Sequence, residues 1–418
     1  MSAAPIATWC ISAIAVAGVI ARPYRWPEAI WAVAGASALV LLGLMTPQLA
    51  LAGIAKGTDV YLFLVGMMLL SETAREAGLF DWLAMCAARQ ARGSSKRLFL
   101  LVYAVGVVVT IFLSNDATAV VLTPAVAAAV RAIRIRNPLP YLLICAFTAN
   151  AASFVLPISN PANLVMYASH MPSLARWLQQ YGLAAAVAVI ATYACLRWVE
   201  RGSLDEELPR EAPGARLSRT GRIAAAGIAV AALVLLAASA LELQLGLPTA
   251  LCGVLTLLLG WAIGGVSPRK AMGGISWSVL PLVAGLFVLV EALDKTGVIG
   301  LLAGVLADGT ATSVQATSGL AGLAVALVSN LVNNLPAGLV AASAAHAALV
   351  PEPVIRALVI GVDLGPNLSV TGSLATILWL AALRRDGHHV DGWQFLKIGA
   401  VVMAPALVLS LVTAIALA

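Results

Sequence analysis

A chain of 418 residues is long enough for two or three soluble domains, but 61% of it is hydrophobic and only 11% is charged. Soluble domains run near 45–50% apolar and about 25% charged. A water-facing surface cannot be built from these residues, and the mean hydropathy of +0.97 says the same. The net charge of +6 comes without any basic patch patterned for nucleic acid, so that class of partner is excluded.

The first apolar run, 6–21, has no basic flank before it and carries Arg22 and Arg25 after it, so it reads as a membrane span and not a cleaved leader. Further apolar segments follow at 28–45, 60–73, 98–113, 117–130, 140–170, 177–198, 222–241, 248–264, 277–293, 314–330, 336–349, 355–383 and 393–417. Several are too short to cross a ~30 Å hydrocarbon core, which needs about 20 helical residues. The two at 98–113 and 117–130 flank Ser114-Asn115-Asp116, with Lys96 and Arg97 before them and Arg131, Arg134 and Arg136 after them. Basic residues at both ends predict that 98–136 enters and leaves on the cytoplasmic side, as a re-entrant helical hairpin.

With that choice the positive-inside rule can be counted along the chain. It leaves Lys56, Arg176, Lys295 and Arg356 outside and all the other Lys and Arg inside, 21 against 4 of the 25. The threading predicts ten spans, two hairpins and both termini outside. The only extended hydrophilic stretch, 200–221, reads as a cytoplasmic linker between two halves.

The halves, 1–199 and 222–418, repeat. SETAREAGL in the first matches VEALDKTGV in the second, the tip SNDATAVVLTP (114–124) matches VNNLPAGLVAA (332–342), and 154–168 matches 367–381. The fold predicted is an all-α integral membrane protein of two inverted-topology repeats, each with five spans and one re-entrant hairpin. The hairpins are 98–136 and 314–350, and the broken helices 140–170 and 355–383. An odd number of spans per half inverts the second, so its hairpin enters from outside. Interrupted segments at matching positions of inverted repeats mark secondary transporters.

Four polar interruptions fall at bilayer depth: 114–118, 157–163, 333–336 and 363–373. Unwound backbone in hydrocarbon survives only inside protein or beside a wet cavity, because each unpaired N–H or C=O costs several kcal/mol. Broken helix ends with Asn and Ser side chains can bind a small polar solute or a cation; the bland alternative is that these residues only cap helix ends. Asp116 and Asp363 are the carboxylates at mid-membrane, where each must be paired, hydrated or protonated. Asp116 is the first candidate for coupling transport to protons and Asp363 the second. Glu72 and Glu291 sit at matching span ends beside charged residues and read as interfacial and structural. His170, His346, His388 and His389 fall in loops or hairpin ends without metal-ligand spacing, and the five cysteines read as small apolar core residues. No metal and no other cofactor is expected. GxSD, HExxH, DDxxD and GxxxxGK[ST] patterns are absent, which speaks against a membrane-embedded enzyme and against an ATP site in this chain.

These motifs carry a resemblance. VSNLVNNLPAGLVAASA and VIGVDLGPNLSVTGSLATILWLAAL, with LSNDATAVVLTP and LPISNPANLV, resemble the ArsB-type arsenite and antimonite efflux transporters, over essentially the whole chain. These belong to the ion transporter superfamily, which also holds NhaD-type Na+/H+ antiporters, silicon efflux carriers and dicarboxylate carriers. The resemblance implies a scaffold-plus-transport-domain carrier that extrudes As(OH)3 or Sb(OH)3 against protons, with a cytoplasmic ATPase subunit as partner in some members. Three hydroxyls want both donors and acceptors, which Asn supplies together. Carried over by motif, the substrate cradle is Asn115, Asp116, Thr118, Ser159, Asn160, Asn163, Asn333, Asn334, Thr371, Gly372 and Ser373. The pattern departs at Val362, where the family tends to Cys, and at Asn367-Leu368-Ser369-Val370, which replaces a Lys- and Pro-containing version. The alternative solute reading is a Na+/H+ antiporter of the NhaD type, with Asp116 and Asp363 as cation ligands.

Overall fold

Apolar runs that cannot reach water must satisfy their own backbone, and helices do this within one segment. In the computed structural model every regular element among the described residues is helical; those residues are 3–167, 171–206, 208, 209, 214 and 216–417. His170 and Arg210, read above as a loop residue and an inside charge, lie outside them, as does part of the 200–221 linker.

Among the described residues eight helices are long and apolar enough to cross a membrane, and nine if the pair Pro47–Lys56 and Thr58–Glu76, bent by 48°, counts as one span. Three expected spans fall short of that length for a physical reason. Glu28–Leu41 is short, and the segments 140–170 and 355–383 are each broken. The first gives Leu139–Ala151, an irregular stretch, then Pro161–Tyr167; the second gives Glu352–Leu364, a tight turn over Gly365–Leu368, then Leu374–Arg385.

Four α-helices among the described residues have no counterpart among the expected segments: Pro47–Lys56, Leu79–Gln90, Pro268–Gly274 and Val298–Thr312. Leu79–Gln90 shows why. Asp81 and Arg89 lower its hydropathy, yet Leu79, Phe80, Ala84, Ala87 and Ala88 are buried along one side. A search for uniformly apolar spans passes over such an amphipathic stripe.

Packing sorts the helices into two groups. Ala3–Ala21, Glu28–Leu41, Pro47–Lys56, Thr58–Glu76, Arg219–Ala240, Gly246–Gly264 and Val279–Lys295 pack on one another. The interrupted elements form the other group, with Leu174–Val199 and Gly392–Ala416 packed alongside. Glycine lets backbones meet within each group. A Cβ on Gly66 would stand 2.3 Å from the Thr249 carbonyl carbon, and one on Gly361 only 2.2 Å from the Gly322 oxygen. Small residues at such crossings allow helices to pack closely where lipid gives no hydrophobic drive.

Candidate functional site

The first hairpin turns at Leu113 and Ser114, and the Ser114 hydroxyl accepts from the Ala117 N–H at 3.1 Å, capping the short helix Asn115–Ala117. A π-helical turn, Thr118–Leu122, follows before the helix resumes at Thr123–Ala132. π-turns inside helices are frequent at functional sites. Asn115 is buried and its Oδ1 accepts from the Asp116 N–H at 2.9 Å. The Asp116 carboxylate makes no hydrogen bond or ion pair among the described residues.

In the second hairpin Val314–Val332 meets Asn334–Ala347 at Asn333 (φ 74°, ψ 152°), where side chains other than hydrogen are rare. Its Oδ1 accepts from the Leu335 N–H and its Nδ2 donates to the Thr371 carbonyl, while the Asn334 N–H donates to the Gly372 carbonyl at 2.8 Å. The second tip is thereby bonded into the second break.

The two breaks bond to each other. Asn160 Nδ2 donates to Asp363 Oδ1, and Asn160 Oδ1 accepts from the Ala162 N–H at 3.0 Å. Asn150 Nδ2 donates to Asn367 Oδ1 at 3.0 Å, and Asn367 Nδ2 donates to the Phe147 carbonyl at 3.1 Å. Asp363 is fully buried and its Oδ2 has no partner.

Between the two groups lies a cleft of two lobes with empty volumes of about 630 and 580 Å³. Asn115, Asp116, Asn160, Asn333 and Asn334 line one side of the first lobe, with Pro161, Pro336 and the start of Leu374–Arg385. The facing wall is apolar: Leu64, Val279, Leu282, Val283 and Leu286. Asp116 borders both lobes. One lobe runs toward Glu28, ion-paired with Arg22, and the other toward Glu72, ion-paired with Arg75 at 2.7 Å. Glu291 pairs likewise with Lys56.

The structure thus brings five of the sequence candidates to one cavity and leaves the others behind it. Thr118 shares a 2.7 Å hydroxyl contact with Thr110 inside the first hairpin. Ser159 donates to the Ile111 carbonyl at 3.0 Å, and Asn163 Nδ2 to the Ser153 carbonyl at 2.9 Å. Thr371 donates to the Asn330 carbonyl at 2.9 Å, and Ser373 caps Leu374–Arg385 by accepting from the Thr376 N–H at 3.1 Å. Gly372 leaves no room for a side chain, since a Cβ would meet Pro366 Cα at 2.5 Å. Asn150, Asn330 and Asn367 were not among the candidates, though each links elements of the site. Their signal was present: each is an amide inside an otherwise apolar run beside a break.

No Lys, Arg or His lines either lobe, and no group of three His, Cys, Asp or Glu side chains suited to a metal occurs among the described residues. Such a wall of amides, with Asp116 as its unpaired carboxylate and Glu28 and Glu72 ion-paired at the ends of the lobes, suits a small uncharged polar solute or a cation and opposes a polyanion. Residues 15–361 match the citrate transporter family. The chain belongs to that family. It is 26% identical over 359 residues to an arsenical pump membrane protein of Escherichia coli, with 83% of each chain covered. It is 27% identical over 362 residues to the protein of that name in Yersinia enterocolitica, again with 83% of each covered. An uncharacterised transporter of Mycobacterium tuberculosis is 28% identical over 419 residues, covering 96% of each chain. Among solved structures, the YdaH transporter of Alcanivorax borkumensis superposes with a TM-score of 0.56 at 16% identity, over 88% of this chain and 86% of that one. MtrF of Neisseria gonorrhoeae gives 0.50 at 14%, over 91% and 83%. Both likenesses concern the fold. As a citrate transporter family member with an ArsB-like motif set, the chain is a multi-pass membrane transporter and not an enzyme.

Proposed function

We propose that the protein exports arsenite and antimonite as their neutral trihydroxides, in exchange for protons, by alternating access across the cytoplasmic membrane. The observation that carries this reading is the chemistry of the first lobe: six polar side chains, four of them amides and two carboxylates, Asp116 and the ion-paired Glu28, with no Lys, Arg or His among the described lining residues. An amide offers donors and an acceptor to a trihydroxide. A citrate trianion would meet Asp116 with no compensating charge, so the site's chemistry opposes the solute in the family's name. The arsenical pump relatives support the same choice of solute.

Asp116 exchanges the coupling proton in this reading. It sits where the lobes join and has no fixed partner, so substrate and proton can compete for it. All polar lining residues of the first lobe other than Glu28 belong to the interrupted group, and the facing wall is smooth and apolar. That division suits a transport body sliding along a scaffold, with 1–199 and 222–418 as inverted repeats and 200–221 as the linker on the inner side. A sodium/proton antiporter is the second reading, favoured by the partnerless Asp363 Oδ2 close to the amide of Asn160.

Everted membrane vesicles offered arsenite, antimonite, sodium or citrate separate these readings. Arsenite uptake that stops when the proton gradient is collapsed is the expected result. Sodium-stimulated proton movement without arsenite transport would favour the second reading, and citrate uptake would overturn the assignment from the cleft.

A further inference from the structure

The cleft that borders Asp116 extends to Glu28 in one lobe and to Glu72 in the other. Asp363 does not line it. The helix Glu352–Leu364 runs from Asp363 to the face opposite the base of the first hairpin, because the chain continues through Leu374–Arg385 to Asp386, which pairs with Arg131 at that base. Arg356 and Asp363 lie four and eleven residues after Glu352, so at 100° per residue all three share one side of the helix.

Along that side runs a line of buried polar groups that the transport reading does not use. Glu352 is partly exposed, and its Oε1 accepts from the Tyr167 hydroxyl at 2.7 Å. Tyr167 in turn lies 2.7 Å, oxygen to oxygen, from the Tyr181 hydroxyl, and Tyr181 is fully buried. Arg356 is buried; one of its amino groups donates to the Ala414 carbonyl at 3.0 Å, but its Nε has no partner. Asp363 Oδ2 is the second orphan on the same side. Buried donors and acceptors without partners are costly, and these two stand seven residues apart along the helix, about 10 Å of rise. Other charged groups on the neighbouring helices, Arg176, Arg197, His346 and Lys397, are exposed. The last helix contributes only Ser410 and backbone carbonyls.

We propose that Glu352, Tyr167 and Tyr181 form a relay that carries the coupling proton between the face opposite the hairpin base and Asp363. The inference rests on the proton-coupled reading above and adds the route. A proton taken up by the Glu352 carboxylate passes to the Tyr167 oxygen as that hydroxyl gives its own proton to Tyr181. Tyr181 in turn passes its proton toward Asp363 Oδ2, the partnerless oxygen at the inner end of that side. Each hydroxyl ends neutral, and one proton has moved from the face to Asp363. Two carboxylates then serve two faces, Asp116 through the cleft and Asp363 through the relay, and the coupling proton completes its crossing by passing between Asp363 and Asp116.

The full chain in proteoliposomes tests this with arsenite as the probe, by comparing transport driven by an imposed pH gradient with arsenite counterflow, which needs no net proton movement. Glu352→Gln and Tyr167→Phe are expected to lower pH-driven transport by about 100-fold, the size of effect when a positioned proton-transfer group is removed. Counterflow should stay at the wild-type rate, and Glu352→Asp should restore part of the pH-driven rate. Wild-type pH-driven transport in both variants would overturn the relay, and so would equal losses in the two assays, which mark a structural role. If the unsubstituted protein shows counterflow but no pH-driven transport, the proton-coupled reading itself falls and takes the relay with it.

Discussion

Asp116 and Asp363 meet the cost of a carboxylate at bilayer depth in different ways. Asp116 faces a cavity and has no partner to hold it, whereas Asp363 is fully enclosed and held by Asn160 through one oxygen. Asp116→Asn is therefore expected to abolish net arsenite export while leaving folding intact, since no internal bond depends on the charge. Export assayed beside thermal unfolding checks this, and unchanged export would remove Asp116 from coupling. Asn367 is the opposite case: it bonds Asn150 and the Phe147 carbonyl inside the protein. Asn367→Leu would strand both partners, at about 1–3 kcal/mol for each orphaned group, and should appear as a lower unfolding temperature. The sequence singled out both carboxylates, because charge in an apolar run is conspicuous. It did not single out Asn150, Asn330 or Asn367, because an amide's importance depends on the partner that the fold brings to it.

At the scale of elements, the interruptions divide the work between capping and binding. Ser114, Asn333 and Ser373 each close a helix start with a side-chain oxygen, and Asn160 does so for Pro161–Tyr167. Capping does not exclude the proposed binding role, since Asn160 and Asn333 also line the cleft. Asn333 stands in a backbone region that costs a residue with a side chain about 1–3 kcal/mol. Asn333→Gly relieves that cost but loses a cap of about 1 kcal/mol, so stability should change little while transport falls. Rate measured against unfolding temperature reads the two effects apart; unimpaired transport would make Asn333 a turn residue only. Where helices cross, Gly361→Val drives a side chain into the Gly322 carbonyl. Overpacking of this kind costs about 1–3 kcal/mol, visible as a loss of folded protein in detergent. The breaks were legible as polar words in apolar text, whereas the amphipathic Leu79–Gln90 was not, its burial being set by the hairpin it packs on.

At the scale of the molecule, the polar residues of the first lobe sit almost wholly on the interrupted group and face a wall of Leu and Val. A wall without hydrogen-bonding groups would offer a polar site sliding past it, as proposed above, no partner to exchange and so would resist its passage little. Added bulk there should obstruct the movement without touching the binding residues, so Val283→Trp is expected to slow transport about tenfold at normal protein abundance, judged from the initial rate per folded protein. Composition by itself determined that this chain lives in a bilayer, because so few charges cannot clothe a soluble surface. Patterning located the breaks, because polar backbone at that depth has to be enclosed. Only the tertiary structure decided which polar side chains share a cavity and which serve as struts behind it. Helical periodicity fixes a residue's side of its own helix, but what lies opposite depends on how distant segments cross, and those crossings are set by packing that no local spacing records.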